Sequence, residues 1–327
     1  MSYRFAVDSD YDDLDRQLVH ALHVAARAPF SRIAEVLGVS DQTVARRYTR
    51  LRSTGALRVL GAPDPRSLGE VAWFVRLHCT PDAAEPLAAA LAKRPDTSWV
   101  RLTSGGTELV CVTRAPLRAD GGELLLRTLP RTARVVTMSA HCLLHVFFGG
   151  RRSPIDKVPA LSQEQVAALA EPESRPEPVT LTVGDRRLLA ELAKDARTPV
   201  PVLAEATGWS ATTVRRRMAE LHARGAFFYD VEFDRDMFAM NVSAMLWLSV
   251  HPAELDRAGR ELAEHPEVAF AAATTGPTNL YASLATSGVE ELYRYLTERV
   301  SVLPGVTAVE SAPVMRSVKG SGPLPTG

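Results

Sequence analysis

Apolar positions in this chain follow two rhythms, and each rhythm occurs twice. From Ser40 to Leu51 the sequence reads SDQTVARRYTRL, with Val44, Tyr48 and Leu51 at i, i+4 and i+7, the spacing of one helix face. The opposite face carries Gln42, Thr43, Arg46 and Arg50, with Arg47 at the margin. Adding 170 to each number gives SATTVRRRMAEL, where Val214, Met218 and Leu221 repeat the apolar face. Thr212, Thr213 and Arg216 repeat the polar face, and Arg217 sits at the margin. Ser40 and Ser210 stand where a hydroxyl would cap the helix start. Gly55 and Gly225 stand where the helix should stop.

The repeat is longer than one helix. A gap-free match of Asp15–Leu57 onto Asp185–Phe227 has about 18 identities in 43 positions, which sets a duplicated architecture. Shorter amphipathic runs, SRIAEVLG and PVLAEATG, precede the capping serines and end in glycine. Helices are expected over 12–25, 30–37 and 41–53, and again in the second copy. Two short helices around a glycine turn are a helix-turn-helix signature.

After each triple the period shortens to two. VAWFVRLHC (71–79), SWVRLTS (98–104), TELVCVT (107–113) and RVVTMSAHCLLHVF (134–147) predict strands, with helices over 82–93 and 121–129. This is the ferredoxin-like order β-α-β-β-α-β. At an offset of 171 the second copy repeats it, with strands at 242–250 and 306–315, a hairpin over 268–286, and helices at 252–265 and 288–300. The fold class is α+β, two winged helix-turn-helix units each joined to a ferredoxin-like unit. The expected divisions are 12–62, 63–148, a linker over 149–180 with room for a short helix at 162–170, 181–232, and 233–319. Residues 1–12 read as a tail or as a docking strand, and GSGPLPTG at the C-terminus as a disordered tail.

Charge then sharpens the picture. The whole chain nets zero, yet residues 41–53 hold four arginines against one aspartate, and residues 211–224 four against one glutamate. Arginines and small hydroxyls at a helix start suit phosphates and base edges in double-stranded DNA. The candidate contacts are Ser40, Gln42, Thr43, Arg46, Arg47, Arg50, Ser210, Thr212, Thr213, Arg215, Arg216 and Arg217. Cys79, Cys111 and Cys142 lack CxxC spacing and are expected as buried reduced thiols in a cytoplasm. No run is apolar for the roughly 20 residues of a membrane span. No metal site, cofactor or catalytic residue is assigned.

The segments DLDRQLVHAL, LGVS, TVARRYTRL and DPRSLG resemble the Lrp/AsnC (leucine-responsive, feast/famine) regulators, in two copies over nearly the whole chain. The resemblance implies a DNA-binding regulator whose α+β domain, the RAM type, senses amino acids and assembles subunits. It places the effector loop at TSGGTEL and TTGPTNL, giving Thr103, Gly105, Gly106, Thr107, Glu108, Thr274, Gly276, Thr278 and Asn279 as ligand candidates. Where the family carries an aromatic and an aspartate after the glycine, this chain has Thr107–Glu108 and Thr278–Asn279. Glu108 could pair with an ammonium group, Asn279 only hydrogen-bond it. Ordinary members dimerise through their sheets, so two fused copies are expected to form an intramolecular pseudo-dimer, with further homo-oligomers in prospect. The rival expectation is an enzyme: sirohaem decarboxylases resemble this family in fold and bind a tetrapyrrole near histidines, here His78, His141, His145 or His251. TTGPTNLYASL lacks their tryptophan-containing run.

Overall fold

Three short helices open each copy, and a serine hydroxyl starts the third in both. The computed structural model describes residues 10–116, 123–172 and 174–324. In the first copy α1 (Asp13–Val24), α2 (Phe30–Leu37) and α3 (Asp41–Ser53) lead into β1 (Leu57–Pro63). There follow β2 (Glu70–Cys79), α4 (Pro81–Ala92), β3 (Thr97–Thr103) and β4 (Glu108–Pro116). Helical turns over Glu123–Thr128 and Leu129–Arg131 then reach β5 (Val135–Phe148). A short helix, α5 (Gln163–Leu169), falls between the copies. The second copy runs α6 (Val183–Lys194), α7 (Val200–Thr207), α8 (Ala211–Ala223), β6 (Phe227–Phe233) and β7 (Val242–Val250). It ends with α9 (Leu255–Glu264), β8 (Val268–Thr274), β9 (Leu280–Thr286), α10 (Val289–Arg294) and β10 (Val306–Ser317). The reading of the first twelve residues and the start of the helix expected at 121–129 lie partly outside the described residues.

The chain divides into two compact units, each built from segments of both copies. One unit takes the chain up to Leu68 together with Ile155–Ala239; the other takes Gly69–Pro154 together with the chain from Met240 on.

In the helical unit, β1 pairs antiparallel with β6, so each copy's strand finds its partner in the other copy. Leu60 faces Asp230, its own equivalent 170 positions on, which places a pseudo-two-fold axis at that pair. Arginines at equivalent positions reciprocate across it. Arg27 donates to the carbonyls of Ala196 and Thr198, and Arg197 to those of Ala26 at 2.7 Å and Ala28 at 3.0 Å. Such self-complementary exchange is what a two-fold contact requires. The expected linker is built into this unit. His20 Nδ1 accepts from the backbone N–H groups of Ala160 and Leu161, each at 3.1 Å, and Val179 N–H donates to Ser67.

In the other unit, each copy makes a four-stranded antiparallel sheet, ordered β3-β4-β2-β5 and β8-β9-β7-β10, as a ferredoxin-like unit should. β5 pairs with β8 and β10 with β3, closing all eight strands into one barrel. Closure removes the sheet edges. Alternation along the strands divides the side chains between two cores. Val75, Leu77, Leu109 and Cys111 face outward onto α4, with Ala84, Ala88 and Leu91. In the second copy Leu246, Leu248 and Ala282 pack with Ala258 and Leu262 of α9. The inward side chains Phe74, Val110, Met245, Trp247, Tyr281 and Ala312 come from both copies and form a shared interior. The start of the expected C-terminal tail is ordered. Gly320 accepts from Trp99 N–H at 2.8 Å, and Leu324 packs on the first copy's core, because its apolar side chain gains more from burial than the tail loses in freedom.

Candidate nucleic-acid interface and ligand loops

The third helix of each triple is positioned by its cap, its turn and one ion pair. Ser40 accepts from Thr43 N–H and Ser210 from Thr213 N–H, at 3.1 and 3.2 Å. Gly38 and Gly208 take φ of 68° and 74°, the left-handed conformation needed to end the second helix and re-aim the chain. Val44 and Leu51, like Val214 and Leu221, are buried at 0–1 % exposure. The opposite face therefore points away from the core.

On that face the arginines divide into two kinds. Arg47 bonds Asp12 and Asp15 at 2.7 and 2.9 Å, and Arg50 bonds Asp15 at 2.6 Å. Arg217 grips Asp185 through two bonds of 2.6 and 2.8 Å and also pairs with Glu220. Asp15 and Asp185 are buried on the first helix of each triple, so these pairs lock the third helix onto the first. Burial opposes ionisation of Asp185, but Arg217 and Thr182 outweigh it and hold its carboxyl at about 2. The two aspartates align in the repeat, a signal present in the sequence that the period alone does not interpret.

The other kind is unspent. Arg46, Arg215 and Arg216 are exposed, and among the described residues no hydrogen bond or ion pair engages them. Gln42 and Thr212 are exposed beside them, while Thr43 and Thr213 are half-buried, each with its hydroxyl near the capping serine's.

The expected ligand loops are occupied largely by the protein's own bonds. Glu108, at 1 % exposure, receives Arg76 Nε at 2.6 Å and the hydroxyls of Thr103 and Ser104 at 3.0 and 2.8 Å. Its charge is thereby answered within the protein, by an arginine two strands away in sequence that local patterning does not connect to it. Gly105 and Gly106 form the turn, and Thr107 donates back to Ser104. In the second copy Asn279 bridges both backbone groups of Val250, at 2.8 and 2.9 Å, and Thr274 donates to Thr278. At Gly276 a Cβ would lie 2.3 Å from His141 Nδ1, so only glycine fits. His141 Nδ1 donates to the Thr275 carbonyl at 2.7 Å. His78 lies beside Thr137, His145 packs on Phe147, and His251 accepts from Ala253 N–H.

Cys79 and Cys111 are buried and Cys142 half-buried, all three free. Burial pushes the Cys111 thiol up to about 12. No helix among the described residues is long and apolar enough to cross a membrane.

The architecture is thus two helix-turn-helix triples paired through β1 and β6, and one barrel closed from two ferredoxin-like sheets, a dimer-like arrangement within one chain. Comparison with known proteins agrees. An AsnC-type helix-turn-helix domain matches residues 12–52 and again 181–222, and an Lrp/AsnC ligand binding domain matches 243–324. The chain belongs to the Lrp/AsnC family. It is 22 % identical over 142 residues to the HTH-type transcriptional regulator FL11 of Pyrococcus horikoshii, covering 43 % of this chain and 93 % of that protein. To the HTH-type transcriptional regulator AldR of Mycolicibacterium smegmatis it is 39 % identical over 61 residues, 18 % of this chain and 36 % of AldR. In fold it resembles the siroheme decarboxylase NirDL, with a TM-score of 0.64 and 17 % identity over 94 % of this chain and 93 % of that one. At that identity the likeness is one of fold.

Proposed function

We propose that this chain is a sequence-specific transcriptional regulator whose operator affinity is modulated by an amino acid or other small metabolite. The observation that carries the reading is the set of exposed, unpaired arginines, Arg46 on α3 and Arg215 and Arg216 on α8, on helices whose other basic residues are spent internally. An unpaired guanidinium on a helix that starts a major-groove reader has a natural partner in guanine or phosphate. Ser40, Gln42, Thr43, Ser210, Thr212 and Thr213 supply the neighbouring polar contacts. Arg47, Arg50 and Arg217 act chiefly by holding the helices at their angle. A ligand changes operator affinity only as far as it binds two arrangements of the chain unequally. With Glu108 already paired and the Thr107 hydroxyl proton given to Ser104, the loop groups left for a ligand are backbone amides, the Thr278 hydroxyl and the lone pairs of the Thr107 hydroxyl.

The test is retention of genomic fragments by the purified chain across a salt series, followed by sequencing. A recurring motif supports the reading. Retention without a motif, gone by moderate salt, would leave only phosphate attraction. The fold likeness to a siroheme decarboxylase supports a second reading, a tetrapyrrole enzyme, and a Soret band on adding sirohaem would favour it.

A further inference from the structure

The barrel's inner wall carries Arg76 and Arg101, and among the described residues carboxylates pair with Arg76 but not with Arg101. Arg76 of β2 and Arg101 of β3 both lie opposite Val110 of β4. Arg76 bonds Glu108 and Glu310 and stacks 3.8 Å above the Trp247 ring. Arg101 is 5 % exposed, and its hydrogen bond goes to the neutral hydroxyl of Ser283, at 3.0 Å. No carboxylate among the described residues pairs with it. Burial pushes its guanidinium down from its usual value, yet an arginine keeps its proton in proteins. Its guanidinium also lies 5.2 Å from the Trp99 ring, but a buried cation met by a hydroxyl and a ring face, with no counter-charge, is strongly unfavourable.

A second donor on this wall is also unfilled. Trp247 Nε1 is buried with no hydrogen-bond partner among the described residues, in a residue 2 % exposed. Buried indole N–H groups normally find one. Trp247 pairs in register with Tyr281, which stands two residues from Ser283 on the same face of β9. Arg101, Ser283, Tyr281 and Trp247 thus line one continuous stretch of interior. The position equivalent to Arg101 in the second copy is Ala272, so the feature occurs once per chain.

We propose that the barrel interior binds one small carboxylate anion, seated on the Arg101 guanidinium beside the Ser283 hydroxyl, with the Trp247 indole N–H as the wall's other open donor. The planar fork of arginine matches a carboxylate's two oxygens. The site is inside the barrel rather than at the 103–108 and 274–279 loops, and it does not depend on DNA binding.

The experiment is thermal unfolding of the full chain as sodium acetate replaces sodium fluoride at constant ionic strength. A ligand of the folded state raises the midpoint with its concentration. For wild type, the midpoint should rise with acetate and level off. Arg101→Met should abolish that response and unfold no earlier than wild type in fluoride, because the substitution removes a buried charge without a counter-charge. Equal midpoints in acetate and fluoride would overturn the proposal, as would a full acetate response in Arg101→Met. If Arg101→Met does not fold, Ser283→Ala decides. A several-fold higher acetate requirement supports the site, and an unchanged one overturns it.

Discussion

Arg27 and Arg197 make the same bonds in opposite directions, whereas Arg76, Arg101 and Glu108 correspond to Trp247, Ala272 and Asn279 in the second copy. The helical unit has kept its two-fold symmetry; the barrel interior has lost it. The difference follows from what each unit must do. On the proposed reading, two helices addressing a duplex with its own pseudo-two-fold axis gain from equivalence, down to the repeated Ser40/Ser210 caps and the Asp15–Arg47 and Asp185–Arg217 pairs. An interior shared by two fused sheets has no such constraint. One side can carry the charges while the other supplies aromatic and hydroxyl groups, provided that volumes and hydrogen bonds still match.

The largest test of this contrast lies in the barrel. Arg76→Met leaves Glu108 buried with two hydroxyls and the His78 ring 4.0 Å away, and unfolding by denaturant should show a loss of about 3–5 kcal/mol. Trp247→Phe, at the equivalent position, removes an unpartnered N–H together with ring volume and part of the platform under Arg76, but it strands no buried charge and should cost less. Equal losses would mean that the interior is symmetric in energy if not in sequence. In the helical unit the outcome should be the reverse. Asp15→Asn and Asp185→Asn each weaken charged hydrogen bonds to an arginine on the third helix, and similar losses of about 1.5–3 kcal/mol are expected in the same assay.

Smaller effects separate readers from locks. On a recovered operator, Arg46→Ala and Arg216→Ala should each weaken binding by about 1–3 kcal/mol and relax preference at one base position. Arg217→Ala should lower the unfolding midpoint while leaving base preference in place. A last effect, absent at neutral pH, concerns the segment between the copies. Burial lowers the His20 imidazole to about 4, from 6.5, where it accepts from Ala160 and Leu161. Between these values the unfolded chain takes up a proton that the folded chain refuses, so the His20 component of stability should fall as pH drops from about 6.5 to about 4 and change no further below it. His20→Gln, whose amide oxygen can accept the same bonds, should remove that component from a pH series of unfolding curves.

Much of this was open to a reader of the sequence because it rests on local features. The three helices of each triple have their caps, glycine stops and periods within a dozen residues. The expected 30–37 and 41–53 coincide with Phe30–Leu37 and Asp41–Ser53. The βαββαβ order was equally visible. What was not visible joins residues far apart. Pairing of β5 with β8 and β10 with β3 closes the barrel, and no run of residues announces a partner more than a hundred positions away. Arg76 in VAWFVRLHC has the look of a solvent-facing strand residue, because its partners Glu108 and Glu310 come from β4 and β10. Arg47 and Arg217 sit at the margin beside the proposed readers, and their acidic partners, chiefly Asp15 and Asp185 on the first helix, distinguish them. The expected linker has a composition of prolines and charges, yet its backbone groups are tied to His20 and Ser67.

The central claim is that both copies read DNA within one chain. Hydroxyl-radical footprinting of a recovered operator tests it most directly, comparing wild type with Arg46→Ala and Arg216→Ala. The account predicts two protected half-sites, one helical turn or a multiple apart, with each substitution weakening protection at a different one. Loss at the same half-site in both variants, or at neither, would contradict it.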